Sequence, residues 1–110
     1  MGILVDKPVF VGVEAAMICV LPQYDQHMFI EWWRQTDEDG KQNILSATLM
    51  EGQVLDQERL NNFESMTTDD KYHKIVLTSP TDADTGLYWC EVLVDGEKQV
   101  SGKVTVNVES

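Results

Sequence analysis

The sequence predicts an all-β sandwich, on three observations. Short alternating stretches are broken by turn residues every ten or so positions, and no 3.6-residue periodicity is sustained. The run Asp84-Thr85-Gly86-Leu87-Tyr88-Trp89-Cys90 places a Tyr two residues before a Cys near the end of a strand. The chain has one other Cys, Cys19, with Trp32 between the two.

The elements follow in order. Ile3 to Val13 reads as a first edge strand interrupted by Pro8, which an edge tolerates. In Ala15 to Leu21, the residues Ala15, Met17, Cys19 and Leu21 share a face. Phe29 to Gln35 is the next strand, and Thr36-Asp37-Glu38-Asp39-Gly40 is its turn. Gln42 to Leu49 follows, with a short strand near Val54. Arg59 to Ser65 and Tyr72 to Ser79 come next, with Ile75 and Leu77 on one face. Pro80 to Asp84 forms a corner before the strand Gly86 to Val94, and Glu97 to Val108 is last. Asp95-Gly96 between the last two suits a two-residue type I′ hairpin.

Composition sets the class. With 110 residues, 43% apolar and 25% charged, the chain is one globular domain spanning 1–110. A net charge of −11, from 19 acidic and 8 basic residues, disfavours nucleic acid and anionic membrane surfaces. No apolar run approaches the roughly 20 residues of a membrane span, and Met1 to Val5 is too short for a signal-peptide core. Two Cys 71 residues apart fit no CxxC metal or redox spacing, and a bridge is preferred over two buried thiols. Such a bridge would stabilise by roughly 4 kcal/mol in the chain-entropy model. It implies an oxidising compartment, hence a secreted or cell-surface parent whose signal peptide and any anchor lie outside this chain. No Asn-x-Ser/Thr sequon occurs, so N-glycans are expected to mask no face.

Taken together, these residues resemble a V-set immunoglobulin domain over nearly the whole chain. Cys19, Trp32 and Cys90 match the family's Cys…Trp…Cys framework, and Ile30-Glu31-Trp32-Trp33-Arg34-Gln35 is similar to its W-Y-R-Q strand. The resemblance implies a V-type sandwich of about nine antiparallel strands with one inter-sheet disulfide, Cys19–Cys90. It makes Trp32 the core Trp and Tyr88 the corner Tyr, and it pairs Arg59 with Asp84 across the base. Val100-Ser101-Gly102-Lys103 departs from the F-G-x-G-T of antigen receptors. With the tight Asp95-Gly96 hairpin, that favours an adhesion molecule or invariant immune receptor. An antigen-receptor-like V domain and a soluble glycan- or microbe-binding module are the alternatives.

Strand alternation then selects a surface. If Ile30, Trp32, Tyr88 and Cys90 face the core, then Glu31, Trp33, Gln35, Leu87, Trp89, Glu91 and Leu93 face out. In the family's sheet order these lie side by side, and Leu45 is expected to join them. Trp33 and Trp89 make this an expected protein interface, with a homodimer or another immunoglobulin-type domain as partner. Glu31 and Glu91 would rim it, and Gln35 suggests a Gln–Gln contact across a two-fold axis.

Other constellations read as structure. Asp37-Glu38-Asp39-Gly40 lacks the spacing of a calcium loop, and Asp69-Asp70 reads as an exposed loop. His27 and His73 fall in separate stretches; His27, Met28 and Tyr24 suggest a loop-tip contact surface. No catalytic arrangement is found, so neither enzymatic activity nor a cofactor or metal is expected.

Overall fold

The computed structural model describes residues 1–22, 27–50, 53–60, 62–66 and 71–110. Tyr24, Asp69, Asp70 and the side chain of His27 lie outside the described residues. The strands are β1 (Gly2–Val5), β2 (Val9–Phe10), β3 (Ala15–Val20), β4 (His27–Thr36), β5 (Gly40–Met50) and β6 (Gln53–Arg59), then β7 (Phe63–Met66), β8 (Tyr72–Leu77), β9 (Gly86–Val94), β10 (Glu97–Val100), β11 (Val104–Val106) and β12 (Val108–Glu109). Joining β1 to β2 and β10 to β11 and β12 recovers the nine expected strands.

One sheet has the order β1-β3-β8-β7. The other runs β10-β9-β4-β5-β6, with β11 also on β9. All these pairings are antiparallel; β12 lies parallel to β2, a local exception to the expected pattern. Cys19 on β3 and Cys90 on β9 form the disulfide that ties the sheets together. The core between them holds Met17, Ile30, Trp32, Phe63, Ile75, Leu77, Tyr88 and Val92, each at most 1% exposed.

Local chemistry places the breaks. The edge strand is interrupted at a cis Lys7–Pro8 bond, where Pro has no N–H to give a ladder. Asp95 and Gly96 have φ of 51° and 80°, the two left-handed positions of a type I′ turn, so β9 and β10 pair tightly from Val94↔Glu97 onward. Arg59 ends β6 and does not begin the next strand, which starts at Phe63. Gly86 opens β9 against β4, where a Cβ would be driven into the carbonyl oxygen of Gln35.

A bulge in β5 changes which residues reach the core. Trp32 pairs with Leu45 but Trp33 with Asn43, so Ile44 is the extra residue. Ile44 and Leu45 are both fully buried. Asn43 closes the irregularity: its Nδ2 donates to the carbonyls of Trp32 (3.0 Å) and Leu45 (3.4 Å), and Ser46 Oγ donates to its Oδ1 (2.9 Å). The expectation that Leu45 faces out is therefore corrected. The bulge turns it inward, opposite the core Trp.

Candidate functional site: the outer sheet face

The face of β10-β9-β4-β5-β6 turned away from the core is built in levels along the strands. Nearest the β9–β10 hairpin, Phe29 pairs with Leu93 and Thr48. Phe29 and Leu93 are 39% and 42% exposed, an apolar step in open water. Two levels down, Glu31 stands between Glu91 and Ser46, with Glu58 beyond. Next come Trp33 and Trp89 side by side, and below them Lys41, Gln35 and Leu87.

The two Trp do not form the bare patch that alternation suggests. Trp89 is only 3% exposed and Trp33 is half-buried. Long neighbouring side chains cover the rings. Lys41 Nζ lies 4.5 Å from the Trp33 ring centre and 5.8 Å from that of Trp89, while Lys103 Nζ lies 4.6 Å from Trp89. The departure in the last strand makes the second cover. Ser101 turns inward, its N–H donating to the Cys90 carbonyl (2.9 Å) and its Oγ accepting from the Cys90 N–H (3.0 Å). The following Gly102-Lys103 then carries the ammonium back over the indole.

Glu91 is held in place by its neighbours. Trp89 Nε1 donates to one of its oxygens at 2.9 Å, and Lys98 Nζ lies 3.1 Å from the other. Burial alone would raise the Glu91 carboxyl, but the indole N–H and the Lys98 ammonium, with Lys41 further away, outweigh it and hold it below the usual glutamate range. Glu31, directly opposite, has no ion-pair partner among the described residues. Trp33 Nε1 is buried and has no hydrogen-bond partner among the described residues. A buried donor left unpaired costs about 1–3 kcal/mol.

Shallow hollows flank Phe29. One of about 220 Å³ is bordered by Thr48, Asp56 and Glu58, and another of about 240 Å³ by Leu93, Asp95 and Gly96. Phe29 is thus a surface residue that sequence reasoning missed, although it shares the parity of Glu31 and Trp33. A roomier hollow of about 360 Å³ lies beside Pro8 and Val106, away from this face, and gathers no catalytic constellation. No group of three or more metal-ligating side chains occurs among the described residues.

At the base, the expected Arg–Asp pair exists with a different arginine. Arg34 Nη1 donates to Asp84 Oδ1 at 2.6 Å, both side chains being nearly inaccessible. Its Nε donates to Gln42 Oε1 (2.9 Å), and the guanidinium lies 5.6 Å from the Phe63 ring centre. Asp84 also accepts from Asn62 Nδ2 (3.2 Å) and the Thr81 N–H (2.8 Å), and its carbonyl accepts from the Tyr88 hydroxyl at 2.6 Å. Arg59 instead donates to the Phe63 carbonyl (3.0 Å). The reason is register: Arg34 follows Trp32 by two, so it points inward at the base opposite Tyr88, whereas Arg59 lies opposite Leu45 higher up. Parity in β4 was the available signal.

The core holds one more polar device. His73 is fully buried; its Nδ1 accepts from Trp32 Nε1 at 2.9 Å and its Nε2 lies 2.8 Å from Ser65 Oγ. An Nδ1 that accepts assigns the proton to Nε2, so the ring is neutral and donates to Ser65. Burial pushes its pKa from 6.5 down to about 4.

A two-sheet sandwich with a corner tyrosine, a disulfide against a buried Trp, and a five-strand face carrying an added β6 defines the immunoglobulin class of variable type. Residues 8–109 match the family model of the immunoglobulin V-set domain, and the chain belongs to that family. No curated protein matches it. Domains of this family generally act as non-enzymatic modules that bind other proteins, so the chain is a receptor-like recognition domain. None of its helices among the described residues is long and apolar enough to cross a membrane.

Proposed function

We propose that this chain is an extracellular recognition domain of an immune or cell-adhesion receptor. It docks protein through the β10-β9-β4-β5-β6 face, with a second copy of itself as first partner. The observation that carries this reading is the exposed Phe29–Leu93 step, extended diagonally by Val100 at 52% exposure in the Glu91 row, with the half-buried Trp33 beyond the Glu31–Glu91 row. Apolar side chains adjoining on three strands of one sheet form the kind of patch that interfaces cover. The unpaired Trp33 N–H adds a donor that burial in a complex can satisfy. Gln35 is exposed at the lower end and remains available for a contact across a two-fold axis.

Sedimentation velocity on the chain, carried to about high-micromolar concentration, tests the reading. Association is expected, and Phe29→Ser with Leu93→Ser is expected to weaken it while the monomer stays folded by circular dichroism, at a cost of roughly 1 kcal/mol for the lost cross-strand apolar pair. A strict monomer, or a dimer indifferent to these changes, refutes it.

A further inference from the structure

We infer that the outer face of the β1-β3-β8-β7 sheet is a further protein interface, and that a second copy of this chain packs on it. This face lies on the opposite side of the sandwich from the docking face proposed above, and the inference stands independently of that reading.

The residue pattern is that of a face built to be covered. An antiparallel sheet with one face in water reads as apolar–polar alternation, whereas a strand buried on both faces reads as an unbroken apolar run. The strand β3 lies inside its sheet, and Ala15-Ala16-Met17-Ile18-Cys19-Val20-Leu21 is apolar throughout. Its neighbours carry Ile3-Leu4-Val5 and Ile75-Val76-Leu77. Met17, Cys19, Ile75 and Leu77 are taken up by the core, so by alternation Ala16, Ile18, Val20 and Val76 turn outward. The register joins them into one surface: Leu4 is opposite Ile18, Ala16 opposite Val76, and Val20 opposite Tyr72. Leu4 is 59% and Tyr72 40% exposed, with Ala16, Ile18 and Val20 half-buried on the strand between them.

Charge selects the occupant. Among the described residues this face carries Lys74 opposite Ile18, with Asp6 and Glu64 at the level of Ala16 and Val76. The outer face of the other sheet carries Glu31, Glu91, Asp56, Glu58, Lys41 and Lys98. A basic partner is drawn to carboxylate-rich surfaces, and a chain of net charge −11 is repelled by its own copies over most of its surface. On the β3 face, two carboxylates stand against one ammonium, so two copies meet there with little repulsion. Each offers the other an apolar surface of the same extent, and a two-fold pairing buries both at once. Four strands about 4.8 Å apart and about 20 Å long give roughly 400 Å² per copy, the low end of specific interfaces, so pairing is expected only at about high-micromolar concentration. Copies that use both faces of the sandwich join into strings, because the two faces lie back to back.

Sedimentation velocity on a chain with the other face altered isolates this one, with circular dichroism confirming the fold. The Phe29→Ser, Leu93→Ser chain is expected still to self-associate. Adding Leu4→Glu with Tyr72→Glu, both at exposed positions, is expected to weaken that residual association about tenfold or more. Amide chemical shifts of the unaltered chain, followed on dilution, give a second readout that needs no substitution: those of Leu4, Ile18 and Tyr72 are expected to move together. A Phe29→Ser, Leu93→Ser chain that stays strictly monomeric to about 1 mM overturns this inference and leaves the docking face proposed above standing. Residual association indifferent to Leu4→Glu with Tyr72→Glu also overturns it, as do β3 amides that stay fixed on dilution while association proceeds.

Discussion

Lowering the pH from 7 to 4 should remove stability through His73. The imidazole is sealed between the core Trp32 indole, which donates to its Nδ1, and Ser65, which accepts from its Nε2. Protonation would put a second N–H where the indole N–H already points and bury an unpaired charge. Its folded pKa near 4 lies below the unfolded value of 6.5, so the unfolded chain binds more protons between these two values. Stability therefore rises with pH across that window. It is fully present above about pH 6.5 and is lost as the pH falls toward 4. At about 1.4 kcal/mol per pH unit, the displacement is worth about 3 kcal/mol, a large share of a small domain's stability. Urea unfolding at several pH values between 7 and 4 reads the loss. Carboxylates titrate near its lower end, so the comparison is with His73→Gln, which cannot titrate. The variant should start less stable at pH 7 and lose less on acidification. Equal pH slopes in the two proteins, or a His73 pKa of 6.5 or higher by NMR, would refute the account.

Further outcomes follow from the same contacts. Arg34→Ala should cost about 3–5 kcal/mol, because Asp84 is left as an uncompensated buried charge, whereas Arg59→Ala should cost under about 1 kcal/mol; denaturant melts that reverse this order contradict the assignment of the pair. Gly86→Ala should lower stability by about 2 kcal/mol by forcing β9 away from the Gln35 carbonyl, and an unchanged melting temperature would show that the strands can part there freely. Glu91 should titrate below 4.5 in a carboxyl-detected NMR experiment, and Lys98→Ala should move it upward; no movement would mean that the indole N–H and Lys41 hold it without Lys98. Asn43→Ala should destabilise by about 1–3 kcal/mol through the bulge carbonyls it stitches, while Ser46→Ala should cost less.

Much of the fold was legible because its signals are local. Tyr88 and Cys90 share a face by strand parity, and Asp95-Gly96 dictates a turn whose φ values few other residue pairs reach. The strand Gly86 to Val94 emerged with the expected bounds for that reason. The site was legible only in outline. Parity correctly placed Trp33, Glu31 and Gln35 on the outer face, and it also pointed Arg34 inward, a signal overridden by the resemblance to the family's Arg–Asp pair. Parity fails where a ladder slips: the single extra residue at Ile44 moved Leu45 into the core, and no apolar-polar pattern in that stretch marks the slip.

The sequence by itself determined the sandwich, the bridge of Cys19 to Cys90, the tyrosine corner and the surface on which recognition is proposed. Apart from the bridge, which two cysteines 71 residues apart can form in only one way, these depend on residue type and on short, fixed spacings along one strand or turn. Tertiary structure alone decided that Asp84 holds Arg34, that His73 is locked to Trp32, and that Trp89 lies under Lys41 and Lys103 instead of open to water. Each of these joins residues far apart in the chain, and which side chain arrives depends on the register of whole strands. Register is a property of the packed sheets, so no local spacing encodes it.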